Sequence, residues 1–201
     1  ANGGVVGWFQ GRMEFGPRSL GNRSILGDPR LVSLQSSINR KVKFRESFRP
    51  FAPAVLEERT SEYFDLQGDS PYMLKVANVA ESQLKKVLDK EEEGFNRIKY
   101  DRSTIPAVTH VDGSARVQTV SKNRNALFWN LLKCFESKTN CGVLLNTSFN
   151  VRGEPVVCTP EDAYRCFVNT AIDWLAIGPF LLKREDQPKA KPQQEFDPVP
   201  D

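Results

Sequence analysis

Four short stretches place arginine or lysine beside asparagine, serine, threonine or histidine, in irregular segments between apolar runs. They are GRMEFGPRSLGNRSILGDPR (11–30), KVKFRESFRPFAP (41–53), HVDGSARVQTV (110–120) and LNTSFNVRGEP (145–155). Guanidinium, ammonium, amide and hydroxyl groups donate hydrogen bonds suited to phosphate and carboxylate oxygens. Binding groups usually lie in loops held by a rigid scaffold, so these stretches predict a site for an anionic ligand.

In the first stretch, two glycines and a proline surround an arginine. Gly16 and Gly21 let the backbone approach a ligand closely, and Pro17 restricts the residue before it and so helps to aim Arg18. We therefore predict that Arg18 binds an anion. The alternative is a surface ion pair between an arginine and an acid of the same stretch.

In the second stretch, basic and apolar residues alternate. If this segment is extended, Lys41, Lys43 and Arg45 share one face and the apolar residues between them anchor the other. The pattern predicts an anion-binding ribbon that leads to Arg49. The alternative is a solvated sheet edge whose lysines discourage strand pairing.

The third stretch places His110 and Asp112 beside a predicted tight turn, with Arg116 on the strand that follows. Arg116 is the candidate for a phosphate, and His110 for a hydrogen bond to an anionic substrate. The alternative for His110 is a structural role. With one histidine and cysteines that lack zinc-site spacing, we predict no metal site.

The fourth stretch follows a short apolar run and is rich in amides and hydroxyls. Its candidate residues are Asn146, Thr147, Ser148, Asn150 and Arg152. Backbone N–H groups, hydroxyls and amides of such a segment can surround phosphate or carbonyl oxygens, and the arginine adds charge. The alternative is a turn in which asparagine and serine bind their own backbone.

The net charge of +3 is unevenly distributed along the chain. Residues 12–49 contain nine basic and three acidic residues, a sum of +6, so the remainder carries about −3. An anionic ligand is therefore expected at the N-terminal quarter. The sequence has neither a Walker-type glycine-rich loop nor a GxGxxG motif, so any nucleotide binding would use a less common fold.

The pattern between these stretches predicts the elements that hold them. Strands are predicted at 5–10, 51–56, 72–79, 107–111, 115–120, 143–145 and 174–182, and helices at 28–40, 57–63, 125–135 and 159–170. Asp28 before Pro29 is predicted to cap the first helix, and Thr159 before Pro160 the last. Residues 81–103 are interpreted as a solvated helix or flexible insertion, and residues 185–201 as a disordered tail. This order indicates one α/β or α+β domain with a mixed sheet.

Cysteine usage and hydropathy indicate a soluble, cytoplasmic domain. We predict that all four cysteines are reduced, although Cys134 and Cys141 could pair in vitro. No apolar run approaches the roughly 18 residues that a membrane span needs. A strand-like run begins almost at the first residue, as in a fragment cut at a domain boundary.

Taken together and in this order, the four stretches resemble the C-terminal domain of the O-carbamoyltransferases that act on nodulation factors and antibiotics. The strings GRMEFGPRSLGNRSIL, FRPFAP, HVDGSARVQTV and LLNTSFNVRGEP carry the resemblance, which covers roughly residues 4–184. It implies a YrdC-like α/β fold, a twisted mixed sheet with flanking helices. The predicted insertion and tail carry no part of it.

The resemblance also implies an activity. Such domains bind ATP, with Mg²⁺, and carbamoyl phosphate; they cleave carbamoyl phosphate to carbamate, which attacks the α-phosphate of ATP to give carbamoyl-adenylate and pyrophosphate. An N-terminal, actin-like domain with its own metal then transfers the carbamoyl group to an acceptor hydroxyl. That domain is absent from this chain, so the isolated fragment could be inactive.

Motif matching assigns the roles. Arg18, Lys43, Arg49 and Arg116 would hold the phosphates and the carbamoyl group, as the catalytic set. The nucleotide or carbamoyl pocket would be lined by His110, Asn146, Thr147, Ser148, Asn150 and Arg152. Clustered cations offset the repulsion between two polyanions and stabilise charge on the α-phosphoryl group in the transition state.

Two other functions compete with this one. A YrdC-like RNA- or tRNA-binding module would explain the basic N-terminal quarter, but the modest net charge and the absence of an aromatic-basic repeat argue against nucleic acid. A catalytically silent domain would only complete an interface with the N-terminal half, and it would bind neither ligand.

Overall fold

The computed structural model describes residues 4–85 and 100–188. The strands of this part are β1 (Val6–Phe9), β2 (Arg23–Gly27), β3 (Ala52–Leu56), β4 (Lys75–Asn78), β5 (Ser114–Val120), β6 (Val143–Ser148), β7 (Trp174–Ile177) and β8 (Phe180–Lys183). The α-helices are α1 (Leu34–Lys41), α2 (Thr60–Tyr63), α3 (Ala126–Thr139) and α4 (Pro160–Val168). Single turns of 3₁₀-helix occur at Glu57–Arg59, Glu81–Gln83, Pro106–Val108 and Arg184–Asp186.

The strands form one open mixed sheet in the order β4-β5-β3-β6-β2-β1-β7-β8. The pairs β1–β7 and β3–β5 are parallel, and the other neighbours are antiparallel. The prediction of a single α/β domain with a mixed sheet and flanking helices is confirmed.

The sheet separates two apolar layers because successive side chains of a strand point to opposite faces. On one face, Ile38 of α1 and Phe167 of α4 are fully buried in the larger core. On the other face, Phe128 and Leu132 of α3 are fully buried against Leu144 of β6 and its neighbours. We refer to this second side as the α3 face.

Helices α3 and α4 begin where the sequence predicts, because each has a side-chain cap. The Asn125 side chain accepts a hydrogen bond from the Phe128 N–H at 3.0 Å. Thr159 Oγ1 accepts from the Asp162 N–H at 3.2 Å, and the Asp162 carboxylate accepts from the Thr159 N–H at 3.0 Å. This reciprocal pair satisfies N–H groups that the first turn leaves without helical partners.

The predicted helix at 28–40 begins six residues late, at Leu34. The Asp28 carboxylate accepts from the Arg30 N–H at 3.0 Å and pairs with the Arg30 guanidinium at 2.6 Å. Residues 28–33 therefore form turns, and Asp28 does not cap a helix.

The predicted ribbon that starts at Lys41 is wrong. Helix α1 ends at Lys41, which is exposed, whereas Val42 and Lys43 are both buried. Phe44, with φ +49°, is exposed. Lys41 and Lys43 consequently do not share a face.

Two predicted strands are also corrected. Residues 107–111 are not a strand: Pro106 begins a 3₁₀ turn, whose burial explains the apolar pattern. The run at 174–182 is a hairpin, β7 and β8, that turns at Gly178 with φ +54°. The sequence reading missed β2 and ended β6 before Asn146.

The other predicted elements are present with shifted ends: β1, β3, β4, β5, α2, α3 and α4. Of the predicted insertion, residues 86–99 lie outside the described residues, and so do residues 189–201 of the predicted tail.

Candidate functional site

The topology brings all four stretches to one edge of the sheet. Strands β1 and β6 run in the same direction and end there, at Phe9 and Ser148. Strands β2 and β3 are antiparallel to β6, and β5 is parallel to β3, so these three begin at the same edge. The connections that carry the basic and amide residues therefore lie side by side.

Lys43 is the most buried cation of this edge. Its side chain is 3% exposed, and Nζ donates to the carbonyl oxygens of Ser148 (2.5 Å) and Asn150 (3.0 Å) and to Asn150 Oδ1 (2.7 Å). Burial lowers the pKa of Lys43 to about 7, and repulsion from Arg45 adds to the effect. The ammonium therefore ties the second stretch to the fourth and titrates near neutral pH.

A cavity of about 250 Å³ opens beside Lys43. It is lined by Lys43, Arg45, Arg49, Ser148, Asn150, Val151, Arg152 and Gly153. Arg45 is held in place because its Nε donates to Asn39 Oδ1 at 2.7 Å, and its guanidinium lies 5.2 Å from the Phe51 ring centroid. Burial, with repulsion from Arg49, lowers the pKa of Arg45 to about 10, so its charge is retained at pH 7.

Two arginines of this cavity contact the same surface acid. Glu46 lies 3.2 Å from Arg49 and 3.8 Å from Arg152. A hydrogen bond from the backbone N–H of Glu46 to its own carboxylate lowers the pKa of that group, and the charges of the two arginines lower it further. Exposed ion pairs of this kind contribute little to stability, so an anionic ligand can compete with Glu46 for both guanidinium groups.

The loop of residues 10–22 carries Arg18 and is held rigidly at its base. The Glu14 carboxylate accepts from the backbone N–H groups of Leu20 (2.7 Å) and Asn22 (2.8 Å). The buried guanidinium of Arg23 donates to the carbonyls of Gln10, Gly11 and Asn22 and lies 3.5 Å from the Phe9 ring centroid. Arg23 is therefore structural.

Two side chains on the α3 face of the sheet form hydrogen bonds to the backbone of the loop at residues 10–22. Asn146 Nδ2 donates to the Ser19 carbonyl (3.1 Å) and to Gln118 Oε1 (2.7 Å), and Gln118 Nε2 donates to the Leu20 carbonyl (2.8 Å). Strand β3 lies between them, with Ala52 beside Asn146 and Ala54 beside Gln118. We call this pair the Gln118–Asn146 clamp.

Arg116 lies close enough to Arg18 for their charges to interact. Burial lowers the pKa of Arg116, and the neighbouring Arg18 lowers it further. Arg18 is exposed at the loop surface. Two guanidinium groups that repel each other in the free domain gain most from an anion placed between them.

His110 belongs to a chain of hydrogen bonds. The Ser114 hydroxyl donates to the Asp112 carboxylate at 2.7 Å and lies 3.0 Å from His110 Nδ1, so its oxygen can accept a hydrogen bond from the Nδ1–H group. Burial lowers the pKa of His110, and Arg116 adds to this, although Asp112 opposes it. The imidazole is therefore neutral at pH 7, with Nε2 as its acceptor nitrogen.

The structure gathers most of the predicted residues into two neighbouring groups. Lys43, Arg49, Ser148, Asn150 and Arg152 line the cavity, and Arg18, His110 and Arg116 form the second group. Asn146 is buried beneath the loop. Thr147 lies on the opposite face of β6, and it is not part of the cavity lining described above.

Gln118 and Arg23 contribute to this site but were not predicted from the sequence. Both lie inside the stretches named above. Gln118 donates to the Leu20 carbonyl, 98 positions away, and Arg23 donates to several carbonyls of its own loop and to that of Cys158, 135 positions away, and residue spacing reveals neither arrangement. Arg45 was recognised only as part of the ribbon.

The described residues offer no set of three or more histidine, cysteine, aspartate or glutamate side chains that could hold a metal. All four cysteines are free; Cys141 and Cys166 are buried, and Cys134 and Cys158 are exposed. Between residues 4 and 188, with the gap noted above, no helix has the length and apolar character needed to cross a membrane.

Comparison with known proteins identifies relatives of the whole domain. A family model described as "Carbamoyltransferase C-terminus" matches residues 1–184. The chain is 56% identical over 199 residues to the uncharacterized protein sll1178 of Synechocystis, covering 98% of this chain and 32% of that protein. It is 45% identical to the nodulation protein NolO of Bradyrhizobium diazoefficiens and 38% identical to the 3'-hydroxymethylcephem-O-carbamoyltransferase of Streptomyces clavuligerus. Each of these two matches covers 92% of this chain and 31% of the relative. The chain thus spans about a third of the length of these relatives.

Proposed function

The chain belongs to the carbamoyltransferase C-terminal family, and from this membership we propose that it is the part of a carbamoyltransferase that binds ATP and carbamoyl phosphate and forms carbamoyl-adenylate. The observation that carries the proposal is the set of cations at one sheet edge. Lys43, Arg45, Arg49 and Arg152 line one cavity, and Arg18 and Arg116 form a second cationic group at the same edge.

The size of the cavity favours the smaller ligand. Its volume of about 250 Å³ lies below the roughly 300–1,000 Å³ that pockets for drug-sized ligands span. We assign it to carbamoyl phosphate, whose phosphate would replace Glu46 between Arg49 and Arg152. ATP, with Mg²⁺, would lie along the more open side that Arg18 and Arg116 border.

The proposed chemistry proceeds in two steps. Water cleaves carbamoyl phosphate to carbamate and inorganic phosphate; a carbamate oxygen then bonds to the α-phosphorus of ATP, and the bond from this phosphorus to the β-phosphate bridging oxygen breaks to release pyrophosphate. Both steps move negative charge onto phosphoryl oxygens. Fixed guanidinium and ammonium groups stabilise this charge without reorganising during the reaction.

Individual roles follow from the contacts. Lys43, whose N–H groups are held by Ser148 and Asn150, would place its positive charge beside the carbamoyl phosphate, and His110 Nε2 would accept a hydrogen bond from substrate. Asn146 would act indirectly by holding the loop that carries Arg18. Transfer to an acceptor hydroxyl would require the N-terminal domain of the longer relatives, and we expect the enzyme in the cytoplasm.

The test is pyrophosphate release by the purified chain. ATP, Mg²⁺ and carbamoyl phosphate are mixed, with each substrate omitted in turn, and Lys43→Met is compared with Lys41→Met, an exposed lysine two residues away. We expect pyrophosphate release only when both substrates are present. The rate of release should fall at least tenfold in Lys43→Met and change little in Lys41→Met.

Two other results are informative. Binding of both ligands without release would mean that the N-terminal domain completes the site, and carbamoyl-adenylate formation would then belong to the whole enzyme. Binding of neither ligand by the folded chain would refute the proposal. Salt-sensitive RNA binding that ATP does not affect would favour the nucleic-acid alternative.

A further inference from the structure

Helix α3 covers the centre of its face of the sheet and leaves one side open. A groove of about 910 Å³ lies between α3 and the strands β1, β7 and β8. Its apolar lining includes Val6, Trp8, Leu131, Phe135, Trp174 and Leu181. The groove is on the opposite side of the sheet from α1 and α4.

The two faces of β7 and β8 differ in how well they are covered. Leu175 is fully buried, and Leu182 packs against the larger core on the α4 side. Leu181, which points into the groove, is 65% exposed. A contiguous apolar surface of this kind, with two tryptophans, is typical of an interaction site.

The relatives indicate what covers the groove. They are about three times as long as this chain, and the matching family model is that of a C-terminus, so in them most of the polypeptide precedes β1. Gly4 lines the groove, and the next residue, Val5, is fixed by its N–H, which donates to Asp173 Oδ2 at 2.6 Å. A polypeptide that leads into β1 thus reaches the sheet at the rim of the groove.

We propose that this groove is the docking surface for the N-terminal part of the longer polypeptide. The rim is charged, with Asp173 and Glu185 near Lys183 and Arg184, and the floor is apolar. This arrangement matches the apolar centre and polar rim of protein interfaces. The proposal rests on the family and on the groove, and it is independent of which ligand the cationic edge binds.

Hydroxyl-radical footprinting tests the proposal without altering the fold. Side-chain oxidation is measured in this chain alone and in a full-length polypeptide that carries the domain. Leu181 and its neighbour Phe180 have similar exposure, 65% and 68%, but only Leu181 lines the groove. We expect oxidation of Leu181 and Trp174 to fall at least fivefold in the full-length polypeptide, with that of Phe180 little changed.

A pair of variants supplies the second measurement. Leu181→Glu in the full-length polypeptide should accelerate limited proteolysis between its two parts at least fivefold, whereas Phe180→Glu should not. Equal oxidation of Leu181 in both proteins would overturn the proposal. So would a dimer of the isolated chain that Leu181→Glu converts to a monomer in sedimentation velocity, since a second copy would then fill the groove.

Discussion

The affinity of the cationic edge for carbamoyl phosphate should fall steeply as the pH rises from 7 to 9. Lys43 has a pKa of about 7 in the free domain, and a bound phosphate beside its ammonium group favours the protonated form. Binding therefore takes up a proton above pH 7. Arg45, with a pKa of about 10, keeps its charge over this range.

The size of the effect follows from the fraction of protonated Lys43. If only the protonated form binds, Kd is proportional to 1 + 10^(pH − pKa), and it rises about 50-fold, or about 2.3 kcal/mol, between pH 7 and 9. Titration of the ligand does not contribute to this pH dependence. Carbamoyl phosphate is an acyl phosphate, more acidic than a phosphate monoester with its second pKa of about 6, so it is already largely dianionic at pH 7.

The stability of the free domain should change in the opposite direction. The pKa of Lys43 is 10.5 in the unfolded chain and about 7 in the folded one, so between these values the unfolded state binds more protons. The free energy of unfolding therefore rises with pH, by up to about 2 kcal/mol from pH 7 to 9. The buried thiols of Cys141 and Cys166, whose pKa values are raised from 9.0, oppose this only as the pH approaches 9. A loss of affinity cannot then be caused by unfolding.

Isothermal titration calorimetry with carbamoyl phosphate at pH 7, 8 and 9, together with urea unfolding at the same pH values, measures both effects. Lys43→Met should bind weakly at every pH and should lose the pH dependence of affinity and of stability. Lys43 does not control binding in this way if Kd of the unaltered chain changes less than about threefold over this range, or if Lys43→Met retains the full pH dependence.

Four further variants test the local structure by urea unfolding. Gln118→Met removes one side of the Gln118–Asn146 clamp, so one N–H of the buried Asn146 amide loses its acceptor and the Leu20 carbonyl loses its donor. The free energy of unfolding should therefore fall by about 1–3 kcal/mol, and phosphate binding through Arg18 should weaken. Gly21→Ala would place Cβ 2.3 Å from Phe128 Cδ1 at φ +113°, so it should lower the free energy of unfolding by more than about 3 kcal/mol. Its control is Gly16→Ala, at φ +134° with no atom within 4 Å of the added Cβ, which should lower this free energy only by the backbone strain of about 1–3 kcal/mol. Thr159→Ala removes the α4 cap and should cost about 1 kcal/mol, and an unchanged stability would show that the cap is replaced by solvent.

Local signals allowed much of the fold to be predicted. The cap at Thr159, the helical spacing of α3 and the apolar runs of β1 and β3 depend on neighbouring residues, and the structure has them. The errors occurred where a local signal had two readings. Asp28 before Pro29 fits a helix start, but the adjacent Arg30 captures the carboxylate.

The residue types of the candidate site could be predicted from the sequence, but the contacts between them could not. Basic side chains near amides indicated an anion site, and most of them meet at one edge. The burial of Lys43 could not be predicted, because it depends on Ser148 and Asn150, which are more than 100 residues away. The Gln118–Asn146 clamp depends on a strand order in which β3 separates β5 and β6, which no local pattern reveals.

One residue connects the proposed docking groove to the cationic edge. Trp8 lines the groove, and its indole N–H donates to the Gly21 carbonyl at 2.8 Å, in the loop that carries Arg18. The groove, the clamp and this loop all lie on the α3 face. A partner that packs on Trp8 would therefore restrain the loop through a direct hydrogen bond. Because the loop is then already ordered, the entropy cost of fixing Arg18 on an anion is smaller. We accordingly expect the ligands to bind more tightly to the full-length polypeptide than to this chain, with Trp8→Phe reducing the difference because it keeps the apolar contact and removes the hydrogen bond.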